Sequence, residues 1–142
     1  CAFGTAGTAA AHAIQYPVGA LTHTAHGLGV ATMMPYVMRY NRAASTAEMA
    51  EIAGALGLDC AGMDVDAAAD AAIAEISRLF AAIGITPTLK SLGLPADRIE
   101  WTSEQALGIE RLIKNNPRAI DLTAMRRLVQ AAYDGDLAAS AH

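Results

Sequence analysis

The stretch His12-Ala-Ile-Gln-Tyr16-Pro17-Val-Gly19-Ala-Leu-Thr-His23-Thr-Ala-His26-Gly27 is the strongest indication of fold and function in this chain. It places His12 and His26 fourteen positions apart, on what we predict to be the first two helices. Neutral imidazoles are ligands for divalent transition metals, and a catalytic ion usually takes three or four protein ligands. The pair therefore predicts half of a metal site.

Two neighbouring side chains bear on the same site. Tyr16 would share a helix face with His12 if the first helix reaches it, and Pro17 would then end or kink that helix. His23 lies three residues before His26, and we favour His26 as the ligand. Spacing alone does not make the pair a specific motif, and hydrogen-bonded core histidines are the competing interpretation.

Composition narrows the class of protein. The 142 residues are 54% hydrophobic, which predicts one domain with a buried core. A net charge of -4 with only 10 Lys plus Arg gives no basic surface for phosphates, so nucleic acid is not an expected partner. Apolar runs end well before the roughly 20 residues of a membrane span, and no charged signal region begins the chain. We predict a cytoplasmic protein.

The two cysteines and the first residues predict further features. Cys1 and Cys60 fit free, buried thiols in a reducing compartment better than a disulfide framework. The chain begins at Cys1 within a run of small residues, without Met or a helix-capping residue. We therefore expect it to be a fragment of a longer protein.

Capping residues and apolar periodicity predict an all-α fold in a single helical unit, residues 1–142. Ser45-Thr-Ala-Glu48 resembles a capping box for a helix that Gly57 ends. Asp66 is the expected cap of a longer helix before Gly84, with a core face of Ile73, Ile76, Phe80 and Ile83.

The sequence of the C-terminal part predicts two connecting segments, two more helices and a tail. Thr86-Pro87 and Leu94-Pro95 are the connectors. A capping box at Thr102 predicts a helix that stops near Asn115, and Asp121 caps the last helix, which Gly135 ends. That helix should bury Met125, Leu128, Val129 and Ala132. We expect the tail from Asp136 to His142 to be frayed.

The segment from His12 to Asn41 resembles the signature region of the iron-containing, group III, alcohol dehydrogenases. This family is related to dehydroquinate synthase and glycerol dehydrogenase. The resemblance rests on His12, Tyr16-Pro17, Gly19-Ala20, His26-Gly27, Met34-Pro35-Tyr36-Val37 and Tyr40-Asn41. Asn115-Asn116-Pro117-Arg118 and Ala131-Ala132-Tyr133 extend it over most of the chain. It implies the helical C-terminal domain of such an enzyme.

The resemblance also implies roles for individual residues. His12 and His26 correspond to the two metal-binding histidines of the helical domain. The family's other two ligands come from an upstream Asp-x-x-x-His segment, and its nucleotide-binding domain lies further upstream. Tyr16 takes the position of a histidine that lies close to the nicotinamide in many members. A phenol carries a proton less readily at neutral pH than an imidazole does, so a proton relay through Tyr16 would be weaker.

The resemblance implies an NAD- or NADP-dependent alcohol dehydrogenase. An iron(II) or zinc ion would polarise the substrate oxygen during hydride transfer between a small alcohol and its aldehyde or ketone. The alternatives are a maleylacetate or other oxo-acid reductase of the same family and, from another class, a metal-free helical interaction module. The expected partners are the small-molecule substrate, the missing N-terminal domain and, as one alternative, further copies of the protein. We expect the fragment alone to be inactive.

Overall fold

The computed structural model describes residues 9–59, 61–85 and 88–141 of the chain. These residues form helices and turns without a β-strand, which confirms the all-α prediction. In the described ranges the seven α-helices are α1 (Ala9–Thr22), α2 (His26–Ala55), α3 (Val65–Ala82), α4 (Leu89–Leu92), α5 (Ile99–Leu107), α6 (Glu110–Ile113) and α7 (Leu122–Asp134). Two 3-10 turns, Ala96–Arg98 and Ala139–Ala141, complete these elements. Cys1, Cys60 and Thr86-Pro87 lie outside the described residues.

Helix α2 contains two segments that were predicted from the sequence as separate helices. The break is Ser45, whose backbone (φ -134°, ψ 30°) is not helical, although helix continues on both sides of it. Two helices therefore meet at a kink at Ser45, the position at which the capping pattern predicted a helix to start. The side chain of Glu48, the other half of that pattern, lies outside the described part. The element ends before Gly57, as predicted, where φ is +81°.

Helix α3 begins earlier than predicted, because the capping residue is Asp64 and not Asp66. Asp64 is extended, and its carboxylate accepts a hydrogen bond of 2.7 Å from the Ala67 N–H. Ile73 is buried as expected. Ile83 is 73% exposed, so its assignment to the core was wrong, because it lies past the last helical residue, where the chain turns at Gly84.

The capping box predicted at Thr102 is also wrong. Thr102 and Ser103 are buried inside α5, and the Ser103 hydroxyl donates to the Ile99 carbonyl at 2.8 Å. The helix starts earlier because the 3-10 turn that follows Pro95 leads directly into it. It also stops at Leu107, since the backbone of Ile109 (φ -86°, ψ 72°) separates α5 from α6.

Helix α7 agrees with the prediction at both ends. Asp121 accepts a hydrogen bond of 2.7 Å from the Ala124 N–H, and Gly135 adopts the left-handed conformation past the last turn. The four predicted core residues of α7 are all buried, namely Met125, Leu128, Val129 and Ala132. The tail is not frayed up to Ala141, because Ser140 is buried and the Arg118 guanidinium donates to the Ala141 carbonyl at 2.7 Å.

Two apolar clusters hold these elements together. The larger one joins α1 and the first half of α2 to α4, α5 and α7, and the smaller one joins α2 to α3 through Met38, Met49, Ala69 and Ile73. A buried amide pair, Asn41 with Asn116, exchanges hydrogen bonds of 2.9 and 2.7 Å and ties α2 to the segment before α7. No helix in the described ranges is long and apolar enough to cross a membrane.

Candidate metal centre

The structure brings His12 and His26 into contact. His12 is on the first turns of α1, and His26 is the first residue of α2. Nδ1 of His12 and Nε2 of His26 are 3.0 Å apart, and the two ring centroids are separated by 5.0 Å with an interplanar angle of 31°. Two imidazoles fourteen residues apart in the sequence therefore present facing nitrogens at one point.

The connection between α1 and α2 sets this geometry. Helix α1 continues through the buried Pro17 to Thr22 instead of ending at it. His23 then adopts a left-handed backbone conformation, φ +57°, with its N–H bonded to the Gly19 carbonyl at 2.9 Å. The chain leaves helical geometry for three residues, 23–25, and enters α2 at His26. His23 itself is exposed on this turn and serves to redirect the backbone.

The local environment lowers the pKa of His12. The main cause is burial, which disfavours the charged imidazolium, and the second is the neighbouring His26. Both causes act in the direction that keeps His12 neutral. Neutral imidazole is the form that binds a metal ion.

Tyr16 lies one turn after His12 on α1, next to the pair. Its ring centroid is 5.8 Å from that of His26, and the residue is 49% exposed. It also forms one wall of a cleft of about 240 Å³ lined by Tyr16, Pro17, Ala20, Trp101, Gln105 and Ile109. Tyr16 therefore lies beside His26 and also lines a neighbouring cleft.

Within the described ranges, no group of three or more His, Cys, Asp or Glu side chains converges on one point. The described part of the chain therefore provides two imidazole ligands for a cation. An ion at this position would need further ligands from elsewhere, such as water, substrate or another polypeptide segment.

Gln15 is a further residue of this region that was not predicted from the sequence. This residue is 3% exposed, and its Nε2 donates to the Thr24 carbonyl at 3.4 Å. It lies between the helices that carry the two histidines. Its signal in the sequence was a polar residue within an apolar segment, three positions after His12 and four before Gly19.

Comparison with known proteins identifies the family. A family model described as "Fe-containing alcohol dehydrogenase family, C-terminal" matches residues 1–133. The chain therefore belongs to the iron-containing alcohol dehydrogenase family and matches its C-terminal part, as the residues around His12 and His26 predicted.

Individual relatives agree with this assignment. The chain is 35% identical over 136 residues to long-chain-alcohol dehydrogenase 1 of Geobacillus thermodenitrificans, covering 96% of this chain and 34% of that protein. It is 30% identical over 131 residues to lactaldehyde reductase of Escherichia coli, covering 92% and 34%. A solved structure of 1,3-propanediol oxidoreductase matches with a TM-score of 0.83 and 31% identity, covering 87% of this chain and 32% of that one. The chain thus spans about a third of the length of these relatives.

Proposed function

We propose that this chain is the α-helical, metal-binding C-terminal domain of an NAD- or NADP-dependent alcohol dehydrogenase. The whole enzyme would oxidise small alcohols, or reduce aldehydes and ketones, by hydride transfer. The nucleotide-binding domain and two further metal ligands would be supplied by a segment upstream, so that this chain alone has no activity. The contact between His12 and His26 is the observation that carries the proposal.

The two histidines fit a metal ion. Their facing nitrogens are 3.0 Å apart. Two nitrogen ligands about 2.1 Å from one tetrahedral ion would be about 3.4 Å apart, so a small rotation of the rings is sufficient. His26 is exposed and His12 is half-buried, which leaves room for that rotation. Imidazole nitrogen is a suitable ligand for both iron(II) and zinc.

Each residue of the site has a distinct part in the proposed chemistry. His12 and His26 would hold the ion, which when bound supplies a Lewis acid that polarises the substrate oxygen. The family resemblance implies that Tyr16 would border the nicotinamide, and its half-exposed ring beside His26 is compatible with that role. The cleft that Tyr16 lines is large enough for the hydrocarbon part of a small alcohol.

Metal affinity of single-histidine variants tests this proposal. Isothermal titration of the chain with Zn²⁺ or Co²⁺ should detect one site, and His12→Ala or His26→Ala should weaken it about tenfold or more, because each removes one of two protein ligands. His23→Asn is the matched control, since it removes an exposed imidazole while asparagine tolerates the left-handed backbone. Its affinity should stay within about twofold of the unmodified chain.

Two outcomes would contradict the proposal. One is equal, negligible binding by all four proteins, which would favour a metal-free helical interaction module. The other is a loss of affinity with His23→Asn that matches the loss with His26→Ala, which would place the site on the connection instead.

A further inference from the structure

The side chain of Gln15 fills the space between the two helices that carry the histidines. Gln15 is 3% exposed, although it stands in an apolar stretch and ends in a polar amide. Burying an amide is unfavourable unless its groups are bonded. Only Nε2 has a partner among the described residues, the Thr24 carbonyl at 3.4 Å, whereas Oε1 has none. An aliphatic residue would avoid this cost, so the position of the amide calls for an explanation.

Two glycines make room for that amide. A Cβ atom built on Gly29 would lie 1.4 Å from Oε1 of Gln15, and one on Gly19 would lie 2.7 Å from Nε2. Both distances are shorter than a Cβ atom tolerates, so a side chain at either site would force the Gln15 amide out of its present position. Gly27, on the same turn of α2 as Gly29, has nothing within 4 Å of its Cβ position. The requirement is therefore specific to the glycines that face Gln15.

The register links this packing to the histidine pair. Gln15 is three residues after His12 on α1, and Gly29 is three residues after His26 on α2. Residues three apart lie on the same helix face, one turn along. The contact of Gln15 with Gly29 thus lies one turn along each helix from the contact of His12 with His26.

We propose that Gln15 is a positioning residue, which through Gly29 sets the distance between α1 and the start of α2 and so the separation of His12 and His26. Its hydrogen bond to Thr24 fixes the connecting turn in the same arrangement. The consequence for metal affinity rests on the proposed function. The effect on the distance between the two rings does not.

The test measures the ring-to-ring contact and the metal affinity separately. NMR nuclear Overhauser effects between the ring protons of His12 and His26 report the contact without metal, and Co²⁺ titration reports affinity. Gly29→Ala should displace Gln15, abolish the Overhauser effect and weaken Co²⁺ binding about tenfold or more. Gly27→Ala is the matched control and should leave both unchanged.

A pair of further variants tests the coupling itself. Gln15→Ala should weaken the Overhauser effect by leaving a void. The double variant Gln15→Ala, Gly29→Ala should restore it, because the new methyl group occupies the space that the amide has left. The comparison of Gln15→Ala with the double variant remains decisive even if Gly29→Ala alone does not fold. Neither of these two proteins has the clash between the Gln15 amide and a side chain at position 29.

The outcomes separate the two proposals. If the Overhauser pattern is as expected but no variant and no parent chain binds Co²⁺, the positioning role stands and the proposed metal function fails. If the double variant shows no stronger contact than Gln15→Ala, the positioning role is wrong. It is also wrong if folded Gly29→Ala keeps the contact and the affinity while only its thermal midpoint falls, because Gly29 then acts on stability alone.

Discussion

At the scale of single residues, the protonation of His12 connects the site to stability. Burial, and then the neighbouring His26, lowers the pKa of this imidazole in the folded chain below its ordinary value of about 6.5. The unfolded chain therefore takes up the proton at a higher pH than the folded chain does. His12 contributes no pH dependence well above pH 6.5, and it destabilises the fold as the pH falls through that value.

Urea unfolding between pH 8 and pH 5 measures this effect. The free energy of unfolding should fall on acidification, and His12→Gln should show a shallower fall over the same range because glutamine does not titrate. Since other groups titrate in both proteins, the difference between the two curves isolates His12. Parallel curves, or a steeper fall in His12→Gln, would contradict the lowered pKa.

What the sequence could predict of the site follows from how local each signal is. His12 and His26 were recognisable because the residues around them, from His12 to Asn41, resemble the signature region of a known family. Gln15 was not, because its importance arises from Gly29, fourteen residues away, whose missing side chain leaves room for the amide. A glycine that is required by a distant side chain has the same letter as one that is merely tolerated, such as Gly27.

At the scale of elements, a helix start was predicted correctly where the sequence offers a single suitable capping residue. Asp121 follows a non-helical segment and caps α7 as expected. At the start of α3, Asp64 and Asp66 are both suitable, and only the extended backbone of Asp64 makes it the cap. At Thr102 the pattern lies within a helix that has already begun, because the preceding 3-10 turn supplies the start.

The two aspartates at the start of α3 give a direct test. Asp64→Ala should lower the free energy of unfolding by about 1 kcal/mol, because it removes the acceptor for the Ala67 N–H. Asp66→Ala should lower it by about 0.5 kcal/mol or less, since Asp66 acts only through its charge in the first turn. Chemical denaturation of both variants measures the difference. The reverse order would assign the cap to Asp66.

At the scale of the whole molecule, long-range polar contacts hold the C-terminal tail in place, which was not predicted from the sequence. The tail was expected to fray because it is short and terminal. Arg118 instead donates to the carbonyls of Ala141 and Tyr40, at 2.7 and 2.9 Å, and its guanidinium lies 4.2 Å from the centroid of the Tyr40 ring. A single partly buried arginine thus joins the tail, α2 and the segment before α7. The apolar periodicity of the sequence does not predict such contacts.

In the described part of the fold, the candidate metal centre consists of two histidines and a neighbouring tyrosine. The helices bring two imidazoles together at the junction of α1 and α2, and Tyr16 adds an exposed ring beside them. In the rest of the described chain, no aspartate, glutamate, cysteine or histidine side chain comes close enough to be a third ligand. The chain spans about a third of its relatives' length, and we propose that the remaining ligands belong to the part that it does not include.

We propose above all that His12 and His26 hold one metal ion between them. The most direct measurement is an anomalous difference map from crystals of the chain soaked in Zn²⁺. We expect one strong peak about 2.1 Å from a ring nitrogen of each histidine, with water completing the coordination. A peak bound to only one of the two rings, a peak at His23 instead, or no peak near the pair would contradict the claim.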